Sequence, residues 1–198
     1  MTNAYTPPSV RFLDSLLAFR TFVGRSGQRL QGFLRKLGIQ RSYIMVNTFL
    51  FGVLGQFDNT LRLVSTEPPI LQYRNMLLDR IAKESPIVAV VTIGAGARHA
   101  AEQWSGAAAY PVFELVHPAA PQGLVLPNWN QHLSLLHDAI PPDEGAPVDL
   151  SPYGGEFAAA DEAPIPRFDL PFGVPAWHGT GGGRSRREGP NTILWAAP

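Results

Sequence analysis

Residues 87–93 read Ile-Val-Ala-Val-Val-Thr-Ile and run directly into Gly94-Ala95-Gly96. A β-branched run with a single alanine is the pattern of a parallel strand covered on both faces. The glycines behind it predict a tight turn into a helix over Ala97–Trp104. Parallel strands need crossover connections, which are short, right-handed and usually helical. This segment therefore predicts an α/β layered sheet.

The flanking sequence agrees. Leu30, Phe33, Leu34 and Leu37 fall at i, i+3, i+4 and i+7 and predict a helix over Ser26–Leu37 that stops at Gly38. Ser42–Val46 reads as a short buried strand delivering Asn47 at its end. Pro68 and Pro69 suit the start of a helix over Ile70–Lys83, with Ile70, Tyr73, Leu77 and Ile81 facing the core. Val112–Val116 reads as another strand, ending at His117-Pro118, and Asn128–Ala139 as a last helix. Asn47, Gly94 and His117 each follow a strand end, where open α/β sheets bind their ligands. Residues 141–190 are rich in Pro, Gly and acid without periodicity, and predict a long irregular segment. Asn191–Ala196 reads as a short final strand. The division expected is an atypical N-terminal segment at 1–21, an α/β domain at 22–140 and an extension at 141–198.

The chain contains no cysteine, which excludes disulfides, thiolate zinc sites and a cysteine nucleophile. The histidines show no metal-ligand spacing. No apolar run approaches the ~20 residues of a membrane span. Met1–Pro8 lacks the basic and apolar regions of a signal peptide, so a cytoplasmic location without membrane contact is expected. The formal net charge is zero, but its distribution is uneven. Seven basic residues and one acid precede or include Arg41, whereas Asp138–Asp169 carries eight acids and one base. A basic front half suits an anionic partner such as DNA, or is simply a solvated helix face.

Four separated segments carry a family resemblance. Phe22-Val23-Gly24-Arg25-Ser26-Gly27-Gln28-Arg29-Leu30, Tyr43–Asn47, Val90–Gly94 and Val116-His117-Pro118-Ala119 occur in that order. Together they resemble the PFVG-type segment, the second strand with its pocket asparagine, the third strand and the HPS/HPA motif of the uracil-DNA glycosylase superfamily. The resemblance runs from Phe22 to His137. It implies a three-layer α/β/α domain around a mainly parallel four-stranded sheet, acting as a monomer on uracil-containing DNA. Many microbial members hold an iron–sulfur cluster through cysteines; this chain resembles a cluster-free branch and is expected to use no metal or other cofactor.

The chemistry of the matching residues fits that role. The Phe22 ring offers a face for stacking a flipped base, worth about 1–3 kcal/mol; the alternative is a core residue stapling the helix. Asn47 carries a donor and an acceptor that match O4 and N3–H of uracil and mismatch cytosine; otherwise it is a turn residue. His117 would donate to uracil O2 as charge develops on the departing base, or is a satisfied histidine at a strand end. Asn47 and His117 are thus the expected catalytic pair, with Phe22 and Asn47 binding the base. Arg25, Ser26, Pro118 and Leu124 are the expected DNA contacts. Leu124, in the apolar loop Pro121–Leu126, is the candidate wedge into the duplex, or a loop-to-core contact.

The sequence departs from the resemblance at the front. The family's Gly- and Pro-containing loop, which positions the attacking water, has no counterpart in Pro7–Asp14, and residues 1–21 are too few for its first strand. Two readings follow: a glycosylase hydrolysing the N-glycosidic bond of flipped uracil, or a truncated or degenerate relative that binds nucleic acid or uracil without cleavage. Action on another damaged base is a third. His178-Gly179-Thr180-Gly181-Gly182-Gly183 is similar to an esterase oxyanion loop, but no G-x-S-x-G elbow accompanies it. Gly94-Ala95-Gly96 lacks the full dinucleotide-loop spacing.

Overall fold

The computed structural model describes residues 22, 24–49 and 58–166. Residues 1–21 and the expected strand at Asn191–Ala196 lie outside the described residues. The described chain runs α1 (Gly24–Lys36), α2 (Asp58–Thr66), α3 (Pro68–Glu84), β1 (Val90–Ile93), α4 (Ala95–Glu102), a 3-10 turn (Ser105–Ala109), β2 (Val112–Leu115), α5 (Gln122–Ala139) and a second 3-10 turn (Ala159–Asp161). It forms two compact units, one holding the described residues up to Phe33 together with 159–166, the other 34–158.

β1 and β2 pair in parallel, from Val90 opposite Val112 to Ile93 opposite Leu115. The α/β class is therefore as expected, with α4 supplying the crossover. α4 packs on β1 and on α2, while α5 packs on β2. The strand at 87–93 is shorter than its β-branched run implies, because only Val90–Ile93 meet a partner. Among the described residues the sheet has these two strands, and Ser42–Val46 is in no ladder. That segment keeps the alternation of an extended chain, with Tyr43 and Met45 half-buried and Ile44 and Val46 exposed. Apolar alternation makes a strand only where a neighbour accepts its backbone groups.

The outer edge of β2 is closed by a side chain. Asn128 of α5 accepts the Val116 N–H through Oδ1 at 2.8 Å and donates through Nδ2 to the Glu114 carbonyl at 3.2 Å. One amide thus occupies the acceptor and donor positions a further strand would fill, which blunts the edge. Trp129 adds an Nε1–H bond to the Val116 carbonyl at 2.9 Å.

α5 begins at Gln122, six residues before the expected Asn128. Val125, Leu126, Trp129, Leu133 and Leu136 form its buried face. Pro127 lies within it and withholds one helical N–H. The irregular chain that follows is held against this helix. Asn130 pairs with both backbone groups of Tyr153, at 2.6 and 3.0 Å, and Gln122 accepts the Phe157 N–H at 2.7 Å. The Tyr153 and Phe157 rings meet Trp129 edge-on, with centroids 6.0 and 5.5 Å away. A segment without periodicity is thereby fixed through amide side chains and three rings.

α1 buries Leu30 and Phe33, and Leu37 just past its end is buried as well, as the spacing predicts. It ends with the Ile39 N–H returning to the Leu34 carbonyl at 2.9 Å and the Gly38 N–H to Arg35 at 3.0 Å, a Schellman pair. Beyond it, the Asp143 carboxylate accepts the backbone N–H groups of Gln40 and Arg41 at 2.6 and 2.8 Å, and the Ser42 hydroxyl. Lys36 reaches Asp149 at 2.7 Å. α3 spans the expected helix with Ile70, Leu77 and Ile81 half-buried, but Tyr73 is 48 % exposed and Arg74 is buried in its stead. Its Asp79 accepts the Trp104 indole N–H at 2.7 Å, and Asn75 donates to the Gln103 carbonyl at 2.8 Å. No helix among the described residues is long and apolar enough to cross a membrane.

Candidate functional site

The parallel pair sets the site, because both strands end at one rim. The Gly94 N–H donates to the Leu115 carbonyl at 2.8 Å, so the chain leaves β1 level with the end of β2. Gly94 has φ 86°, a conformation that needs glycine, and a Cβ there would stand 3.2 Å from Cβ of His117. The glycine turn after β1 and the histidine after β2 are therefore in contact.

His117 opens a turn closed by the Ala120 N–H on its carbonyl at 2.9 Å. Its Nδ1 accepts the Ala119 N–H at 3.1 Å. An accepting Nδ1 places the proton of the neutral ring on Nε2, making that nitrogen a donor. The ring is exposed, whereas Pro118 is fully buried. Pro118 is thus corrected from a DNA contact to a residue that sets the turn, since a side chain without exposure cannot touch a partner.

Asn47 is exposed and, with Thr48, lines a cavity of about 200 Å³ against α3. The next residue, Phe49, reaches the start of α4, its ring 3.5 Å from where a Cβ on Gly96 would stand. The segment carrying Asn47 and the Gly94 turn that touches His117 therefore both adjoin the N-terminal end of α4.

Phe22 belongs to the other unit, as do Arg25 and Ser26. Phe22 has φ 53°, unusual for an aromatic residue and costing of order 1–3 kcal/mol. Gly27 lies beneath it: a Cβ there would come 1.8 Å from the Phe22 carbonyl oxygen. The second glycine of the motif thus makes room for the backbone that presents Phe22. Arg25 pairs through Nε with Glu162 at 2.6 Å, and Arg29 approaches the same oxygen at 3.5 Å. For Arg25 to contact DNA it must leave an exposed ion pair, a small cost. Ser26 is half-buried in the first turn of α1.

Leu124 lies in the first turn of α5 and is 62 % exposed. The expected loop at Pro121–Leu126 is corrected to a helix start, since Val125 and Leu126 join the buried stripe of α5. Leu124 projects from the opposite side, so the loop-to-core alternative does not hold.

Sequence reasoning missed Arg74, which is 4 % exposed and borders the Asn47 cavity. An arginine between Tyr73 and Asn75 gives no sign of burial in a one-dimensional pattern. No group of three or more His, Asp or Glu residues suited to a metal occurs among the described residues. No family model matches the chain, and no curated protein matches it.

Proposed function

We propose that this chain is a uracil-DNA glycosylase-like protein that flips uracil from DNA and hydrolyses its N-glycosidic bond. Asn47 reads the base edge and His117 donates from Nε2 to O2. The bond between C1′ and the base nitrogen breaks with its electron pair leaving on the base. Water adds its oxygen to C1′ and loses a proton. The proposal includes the mainly parallel four-stranded sheet of that family, of which β1 and β2 would be two strands. Leu124 fits the wedge, being apolar and exposed.

The observation that carries this reading is the contact between the Gly94 turn and His117 at the ends of parallel strands, with the Nε2 donor fixed by Ala119. A donor at that rim suits charge developing on a leaving base. A second reading is base binding without cleavage, for which the recognition residues suffice. No residue is assigned to water activation.

The test is incubation with uracil-containing single- and double-stranded DNA. Alkali-labile abasic product is expected, with H117A slowed by about 10²–10³-fold. Selective uracil-DNA binding without product at stoichiometric protein would leave the second reading. Absence of both product and selective binding would remove both.

A further inference from the structure

β2 is covered on one face and open on the other. Leu115 is buried and α5 packs on β2, whereas Val112, on the opposite face, is 42 % exposed. Parallel strands are ordinarily covered on both faces. α4 packs on β1, and beside it a cleft of about 330 Å³ opens over Thr92, Val112 and Glu114. That volume falls within the usual range of a small-molecule site, roughly 300–1,000 Å³. One wall is fixed by an indole. Trp104 is buried and donates its Nε1–H to Asp79 at 2.7 Å. Gly106 lies so close to the Trp104 ring that a Cβ would stand 2.5 Å from it, and Tyr110 stacks on the same ring with centroids 6.3 Å apart. Ala107, Ala108 and Tyr110 line the cleft together with Ala101 of α4.

The charges that line this cleft alternate in sign. Glu102 approaches Nε of Arg98 at 3.9 Å, and Glu114 approaches Nη1 at 3.8 Å. Both separations are longer than a hydrogen bond, and all three side chains are about half exposed. Pairs of this kind contribute little, so a ligand displaces them at small cost. We propose that the cleft binds a small zwitterion with an apolar body, an α-amino acid. Its carboxylate lies on the planar fork of Arg98, its ammonium on Glu114, and its side chain over Val112 and the alanines. An amine alone would meet Arg98 as a like charge, and a carboxylate alone would meet two glutamates; the zwitterion complements both signs. Glu102, also 3.2 Å from Nδ1 of His99, stays with the protein. Val112 begins β2 and His117 follows its end, so the site stands apart from base recognition.

Titration of the full chain with L-phenylalanine, followed by calorimetry and by backbone amide signals in nitrogen-15 NMR, tests it. L-phenylalanine should bind and shift the amides of Ala101, Ala107, Ala108 and Val112. Phenethylamine lacks the carboxylate and 3-phenylpropionate lacks the ammonium; each should bind about ten-fold more weakly or worse. R98Q and E114Q should each weaken L-phenylalanine by a similar factor while leaving Tm unchanged, since both side chains are largely exposed. A108W fills the cleft without altering its charges and should abolish binding. If A108W does not fold, R98Q, E114Q and the wild-type amide shifts decide. No L-phenylalanine binding, equal binding of either single-charge analogue, amide shifts confined to other residues, or unchanged binding by R98Q or E114Q would each overturn the proposal.

Discussion

The Asn128 side-chain oxygen accepts the Val116 N–H at 2.8 Å, one residue before His117. With the Nδ2 bond to Glu114, this amide fixes the direction in which the chain leaves β2. A residue inside a helix thereby positions a histidine of the candidate site. N128A should lower unfolding free energy by about 1–3 kcal/mol, because two strand-edge groups lose their partners. Uracil-DNA binding should fall as well, as the His117 turn loses its anchor. Urea unfolding and binding isotherms check both, and an N128A protein of unchanged stability would contradict the edge-closing role.

Acid should weaken the join between the end of α1 and the chain near residue 143. The Ser42 hydroxyl and the N–H groups of Gln40 and Arg41 hold the Asp143 pKa at about 2, below the ordinary 3.8. A depressed carboxylate contributes fully above its unfolded value and loses that contribution as pH falls through its folded one. The loss should therefore develop between about pH 4 and pH 2. Asp149 acts in the same direction, held down by Lys36 and then Ser151. D143N should be less stable than wild type at neutral pH and approach it near pH 2. Urea midpoints against pH measure this, and D143N/D149N should be flatter still.

G27A should strain the segment that presents Phe22. The added Cβ would meet the Phe22 carbonyl oxygen at 1.8 Å and Cδ1 of Ile165 at 2.8 Å, so backbone must shift. Overpacking of this kind costs typically about 1–3 kcal/mol. Hydrogen exchange should rise at the start of α1 and in 163–166, and unchanged exchange would mean that the approach is looser than the geometry requires.

L124A separates a surface role from a packing one. At 62 % exposure, Leu124 should contribute less than about 0.5 kcal/mol to stability. If it wedges a duplex open, affinity for double-stranded uracil-DNA should fall while that for a single strand stays unchanged. Equal loss on both substrates would assign Leu124 to general DNA contact.

The site was legible where a local rule applied and illegible where a distant partner mattered. Gly94 and His117 were readable as strand-end residues, and their contact follows from the parallel register of β1 and β2. Asn47 was readable as a polar residue after an apolar segment, but not as the neighbour of Arg74. α2 was missed because Asn59 and Thr60 are weak helix formers; its last turn is tied by Ser65 and Thr66 hydroxyls to the Arg62 and Leu63 carbonyls.

By itself the sequence determined the α/β class, the apolar face of α1, the Gly38 stop and a strand within residues 87–93. These depend on periodicities and backbone preferences carried by neighbouring residues. Tertiary structure decided that Ser42–Val46 has no ladder among the described residues, that α5 starts at Gln122, and that Arg74 is buried. It also fixed the segment after Pro141 through Tyr153 and Phe157. Each outcome depends on whether a residue remote in sequence fills a hydrogen bond or covers a surface, which no local pattern encodes.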